Sequence, residues 1–423
     1  MKKAGLDILP FLYQFAMVFG FVSKIRLGPF TSLRLVLLVA IIVIFLKMGE
    51  VKHIIRSMDQ KKLHKSFLLL AFCLLITIFH AAGTQLSSNT YFTPDMLLTI
   101  IISLFIVGLW SGVTFDSKTS FCRVLVAVGI VQSLSVFASV AIPGFQSFVV
   151  DHFLYEGFTD KVDMASIEDL ARTPGIGIAW STGSLLLAYC CFALVFLKIE
   201  SKIDFVLFGF LYALIAGATA LMGRTGLIVE IVLLAFWGFS TGKMKNIISL
   251  MVVLIVGLLI FNQVMTRLDP FVAESTQRWM LAFLDSDKVS YTNEGILKGG
   301  FPDFSEQFVF GTGITYGRYG NYSFYADSGY IKSYTSIGVV GMVCYYLGIL
   351  YLIISTFPKR LPKIRKVLLW VAIVIIYVVE YKEPFISGFI YPWIIFSIGI
   401  LWKSEQKNII YENTYSRRLC AQK

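Results

Sequence analysis

The chain has 423 residues, of which 57% are hydrophobic and only 15% charged. That balance excludes a water-soluble globular domain. The net charge of +11 does not mark a nucleic-acid binder, because most basic residues fall in short loops on one side of a membrane, where they set orientation.

Apolar runs of roughly 16 to 20 residues recur along the chain, enough to cross a hydrocarbon core of about 30 Å as helices. Twelve candidate spans follow, at 7–23, 29–47, 66–82, 95–113, 124–142, 180–198, 205–222, 226–240, 247–262, 333–357, 367–381 and 385–402. The predicted fold class is an all-α polytopic membrane protein with about 12 transmembrane helices, forming a single integral membrane domain over 1–423. Lys2 and Lys3 before an apolar run resemble a signal peptide, but no small-residue cleavage site follows, so the run reads as an uncleaved first span. Placing both termini in the cytoplasm puts 24 of the 37 Lys and Arg on that side, six of them in 47–65.

Two long outward-facing loops interrupt this pattern, at 143–179 and 263–332. Within the second, Val272, Trp279, Met280 and Phe283 recur at helical spacing. They fit either an amphipathic interfacial helix or the core face of a small loop fold. The six cysteines lie outside both loops and lack metal-ligand spacing, so neither a disulfide framework nor a metal site is expected. No Walker A or Gly-rich dinucleotide motif is present, and the cytoplasmic loops are too short for a nucleotide-binding domain.

Five arginines lie away from the cytoplasmic side beyond the first spans: Arg172, Arg224, Arg267, Arg278 and Arg318. A guanidinium is permanently charged and offers a planar fork that matches phosphate oxygens. Arg224 sits in Met222-Gly-Arg-Thr-Gly226, a short break between two apolar runs close to membrane depth. A charge there costs several kcal/mol unless it is paired, and its partner is either Glu230 or an anionic ligand. Arg172 precedes Gly183, and Arg318 precedes Gly329, each with ten residues between. Both pairs run from a long loop into the next span, which sets each arginine near headgroup depth.

Removing a proton from a sugar hydroxyl needs a positioned carboxylate or imidazole. Candidates outside the spans are Asp327, Glu306, Asp303, Glu294, Asp151, His152 and Glu168. Asp327 is favoured because a helix with Tyr330, Lys332 and Tyr334 follows it, although an Asp before a helix also serves as its N-cap. The outward tyrosines, Tyr325 and Tyr330 among them, suit stacking on sugar rings and equally suit an interfacial aromatic belt.

The two Arg-x10-Gly spacings, the Gly-Arg-Thr-Gly break, and Ala-Asp-Ser-Gly-Tyr-Ile-Lys-Ser-Tyr-Thr-Ser-Ile-Gly-Val-Val-Gly leading into a span resemble the Wzy family of O-antigen and capsule polymerases. The related O-antigen ligases carry His-Asn near the position of Asp327-Ser328, and its absence tilts the resemblance toward polymerase. The resemblance implies a GT-C-like glycosyltransferase in the bacterial plasma (inner) membrane. Such enzymes join undecaprenyl-diphosphate-linked oligosaccharide units for lipopolysaccharide or capsule, alongside a chain-length regulator and a flippase. On that reading Arg172, Arg224 and Arg318 neutralise the departing diphosphate, Arg278, Tyr325 and Tyr330 bind substrate, and Asp327 is the base, with no cofactor or metal. The alternatives are a ligase with a different acceptor and a transporter or flippase of lipid-linked sugars.

Overall fold

A computed structural model describes residues 8–27, 30–83, 92–142, 144–153, 173–177, 180–200, 203–240, 252, 255, 259, 263, 309–313, 317–319, 322–324, 328–358 and 361–421. These residues are almost entirely helical. Among them α4 (Gln60–Gly83), α5 (Pro94–Thr114), α6 (Lys118–Ala141), α8 (Trp180–Glu200), α9 (Phe205–Met222) and α11 (Gly329–Ser355) form the six helices long and apolar enough to cross a membrane. A bent pair, α2 (Ser32–Leu46) and α3 (Met48–Ser57), makes a seventh if counted as one span. The chain is therefore a multi-pass membrane protein. The shorter or more polar helices are α1 (Ile8–Ser23), α7 (Phe145–Phe153), α10 (Arg224–Ser240), α12 (Lys363–Val379) and α13 (Ile390–Ala421). Of the candidate span 247–262, only residues 252, 255 and 259 are described, each helical.

Contacts divide the chain into two compact units, Met1–Val39 with Thr119–Asp285, and Ala40–Lys118 with Ser286–Lys423. In the first, α8 is the central helix and packs against both α9 and α10. An apolar run from Leu185 to Leu197 is buried on every side of α8, which is the signature of a helix surrounded by others. The outer faces of α9 and α10 expose Val206, Phe210, Ile228 and Phe239 instead, and an apolar exterior of this kind faces lipid. Asp204 caps α9, its carboxylate accepting from the Val206 N–H at 2.9 Å and from Leu207. Those two backbone donors hold its pKa below the usual carboxylate range.

A group whose folded-state pKa is lowered contributes stability above its unfolded pKa and loses it as the pH falls through the folded value. Asp204→Ala is thus expected to lower thermal stability in detergent at neutral pH, with Asn at the same position retaining most of it. The gap to wild type should close in acid, below the ordinary carboxylate range. A gap that stays constant into acid would remove the charged cap as its cause.

In the second unit α4 lies along α11 and α13 lies along α5, each over a long interface. Close approach is set by small residues, as is usual between helices in lipid. A Cβ on Gly348 would stand 2.7 Å from Leu70, and one on Gly112 would stand 2.6 Å from Ile400. The Ser66 hydroxyl donates to the Gly348 carbonyl at 2.8 Å across the α4–α11 seam.

Three places depart from the sequence expectation. Within the loop 143–179, Phe145, Phe148, Val149 and His152 form one face of α7, where Phe148 and His152 rings stack at 4.6 Å. Within 47–65, Val51, Ile54 and Met58 are buried on one face of α3 and just beyond it, so this stretch is also helical. The expected span 333–357 begins earlier, at Gly329, and is broken at Gly338, whose φ of 71° lies in the left-handed region.

Candidate functional site

The Gly-Arg-Thr-Gly break is a single extended residue, Gly223, between the end of α9 and the start of α10. Arg224 is the first residue of α10 and is partly exposed. Two residues on, Gly226 lies against α8. Its N–H donates to the Ser184 hydroxyl at 3.3 Å, and a Cβ there would stand 2.1 Å from the Ser184 carbonyl oxygen. Only a residue without a side chain permits that approach, so the Gly fixes how Arg224 is presented. Ser184 follows Gly183, the glycine of the first Arg-x10-Gly spacing.

Glu230, on the same helix as Arg224, is buried. It is 1% exposed, and its Oε1 accepts from the Thr219 hydroxyl at 2.7 Å. Tyr212 donates to the Glu230 backbone carbonyl at 2.5 Å. One carboxylate oxygen of Glu230 is thus held within the α8–α10 bundle.

The end of the first loop is fastened to this same region. Arg172 lies outside the described residues, but its neighbour Thr173 donates its N–H to the Leu221 carbonyl at 3.0 Å, three residues before Arg224. Ile176 is held by Gln132 of α6 in both directions. The Gln132 Oε1 accepts the Ile176 N–H at 2.9 Å, and its Nε2 donates to the Ile176 carbonyl at 2.9 Å and to the Ser23 hydroxyl at 2.8 Å. A fully buried amide in an apolar helix needs all of these partners.

In the second unit, Arg318 lies in a hairpin of β1 (Gly317–Tyr319) and β2 (Tyr322–Phe324), with Arg318 opposite Ser323. The sequence reads this stretch only as polar loop. The N-cap of α11 is Ser328 rather than Asp327. Asp327 itself, with Tyr325, Arg278, Arg267, Glu168, Glu294, Asp303 and Glu306, lies outside the described residues, as does 272–284.

Gly329, the glycine of the second spacing, meets Glu380 just past the end of α12. The Gly329 N–H donates to the Glu380 carbonyl at 2.9 Å, and a Cβ would stand 2.4 Å from its Oε1. Glu380 is 1% exposed; its Oε1 accepts from the Tyr346 hydroxyl at 2.8 Å and its Oε2 from the Ile386 N–H at 2.7 Å. Lys332 stands nearby as an opposite charge. Tyr330 donates to the Tyr377 carbonyl at 2.6 Å, and its ring lies 5.0 Å from that of Tyr346. Its hydroxyl therefore serves the framework, and the residue is only partly exposed. Asp151 and His152 are exposed on α7, with the His152 Nδ1 donating to the Phe148 carbonyl at 3.0 Å.

The sequence singled out neither Gln132 nor Glu380. Their common signal is a polar residue inside or closing an apolar run, which must find partners. Among the described residues, no group of three or more His, Cys, Asp or Glu is arranged to hold a metal ion. The five described cysteines are free. No family model, curated protein or solved structure matches the chain.

Proposed function

We propose that this chain is a membrane glycosyltransferase of the polymerase type, with about twelve spans and a GT-C-like fold. It would join oligosaccharide units carried on undecaprenyl diphosphate at the outer face of the bacterial plasma membrane. The acceptor hydroxyl oxygen attacks the anomeric carbon of the donor sugar and forms the new glycosidic bond. The bond from that carbon to the diphosphate oxygen breaks, the hydroxyl proton passes to a carboxylate such as Asp327, and undecaprenyl diphosphate leaves. Arg172, Arg224 and Arg318 neutralise the charge that grows on the diphosphate, which counts most in a water-poor site.

The observation that carries this reading is the bond from Thr173 to Leu221. It fastens Thr173, the residue after Arg172 in sequence, to a carbonyl three residues before Arg224. A permanent charge at the head of an apolar helix, fixed by a steric glycine, is an anion-binding arrangement. The apolar outer faces of the helices give a lipid-borne donor a route to that depth.

The test is the surface-polysaccharide ladder of a deletion strain, complemented with the wild-type gene. Long chains are expected to vanish while a single capped unit remains. Loss of the single unit as well would point to the ligase or flippase, and an unchanged ladder would overturn the assignment.

A further inference from the structure

We infer that α3 and the start of α4 form a docking surface for anionic phospholipid headgroups, independent of the transferase reading above. The pair α2–α3 bends by 93° at Lys47, so α3 leaves the direction of the preceding apolar helix. One face of α3 carries Val51 and Ile54 into the protein, and Ile54 meets the Gly112 region of α5. The other face exposes Lys52, His53 and Arg56, and Lys61 is exposed at the start of α4.

The acids in this stretch are already occupied. Glu50 lies 3.6 Å from Lys47, and Asp59 lies 3.5 Å from Lys62. Lys52, Arg56 and Lys61 make no ion pair among the described residues. An uncompensated cationic strip on a protein surface attracts anions of many kinds. What selects a lipid here is the apolar surface at both ends of the strip. Phe45 and Leu46, 67% and 81% exposed, immediately precede the bend, and Leu68, 73% exposed, lies three residues after Lys65. From Lys61 to Leu68 the separation is seven residues, about 10 Å at about 1.5 Å of rise per residue. That spacing matches a headgroup phosphate on its own acyl chains, whereas a nucleic acid or an acidic peptide offers no apolar part for Leu46 and Leu68.

The experiment uses the full chain in liposomes, with a bimane probe on Gly49→Cys, where an added Cβ meets nothing within 4 Å. The background is Cys344→Ser and Cys420→Ser, since Cys73, Cys122, Cys190 and Cys191 are buried. Quenching by brominated phosphatidylglycerol is compared with quenching by brominated phosphatidylcholine at low salt. A preference of roughly fivefold or more for the anionic lipid is expected, the contribution of about one basic residue at a charged surface. It should fall steeply with added sodium chloride, which needs no variant and so survives any folding defect. Lys52→Gln with Arg56→Gln and Lys61→Gln should bring the ratio to one, and Lys52→Arg with Lys61→Arg should keep it. Equal quenching by the two lipids in the wild type would overturn the proposal. So would a preference that the triple variant retains, or one that millimolar inorganic phosphate abolishes, since the last describes a free-anion site.

Discussion

Arg224→Ala is expected to eliminate long polysaccharide chains while the protein remains in the membrane at its usual level. Removing one positioned donor from a site that stabilises developing charge costs roughly 10² to 10³-fold in rate, and a polymer made by repeated transfer compounds that loss at every step. Arg224 begins α10 at a partly exposed position. Glu230, the buried acid of the same helix, has its own donor in Thr219. A structural arginine would behave differently, because its loss would show as reduced abundance or an aggregated elution profile. Arg224→Lys separates charge from shape. Lysine keeps the charge but not the planar fork, so short chains at reduced yield are expected. Full-length chains from Arg224→Ala, assayed in the deletion strain with membrane abundance measured in parallel, would sink the phosphate-binding role.

What the sequence allowed one to read depended on how far apart the partners are. Helices announced themselves through apolar runs because each run satisfies its own backbone and needs only lipid or neighbours outside. α3 was hidden in a basic stretch because only Val51 and Ile54 are buried along its ten residues, too short a signal beside six Lys and Arg in 47–65. The glycines of the two Arg-x10-Gly spacings were found as a pattern, but their causes differ. Gly329 makes room for Glu380, 51 residues away in sequence, and Gly183 adjoins the serine that receives Gly226. Neither cause can be derived from spacing. Gln132 and Ser23 are 109 residues apart, and the Ile176 backbone completes that cluster, so the amide was visible only as a polar residue in an apolar run. The arginines were legible for the opposite reason. A permanent charge next to hydrocarbon is conspicuous before any partner is known.

The largest stability effect is expected where α11 is broken. At Gly338 (φ 71°) the helix opens, and the segment 309–313 bonds to its backbone there. Thr312 and Gly313 donate their N–H groups to the Thr335 and Ser336 carbonyls at 2.8 and 3.0 Å, and Val340 donates to Val309 at 3.1 Å. These bonds satisfy two carbonyls and one N–H of α11 that the break would otherwise leave unpaired in an apolar setting, where each costs several kcal/mol. His80 of α4 holds the segment from the other side at 2.7 Å; the Phe310 carbonyl can only accept, so the histidine Nε2 carries the proton. Gly311 (φ 83°) and Gly338 face each other so closely that a Cβ on either would stand 2.4 Å from the other's backbone nitrogen.

Alanine at either position therefore meets two penalties. A left-handed backbone costs an L-residue roughly 1–2 kcal/mol, and a collision with backbone cannot be relieved by a side-chain rotation and adds about 1–3 kcal/mol. Each single variant should lose several degrees of thermal stability in detergent, read by size-exclusion after heating. Because both act on one contact, Gly311→Ala with Gly338→Ala should lose much less than the sum, since once the segment has been displaced the second methyl has little left to disrupt. Strict additivity would show that the two glycines serve separate contacts. Wild-type stability in either single variant would mean that 309–313 does not bond to α11 at the break.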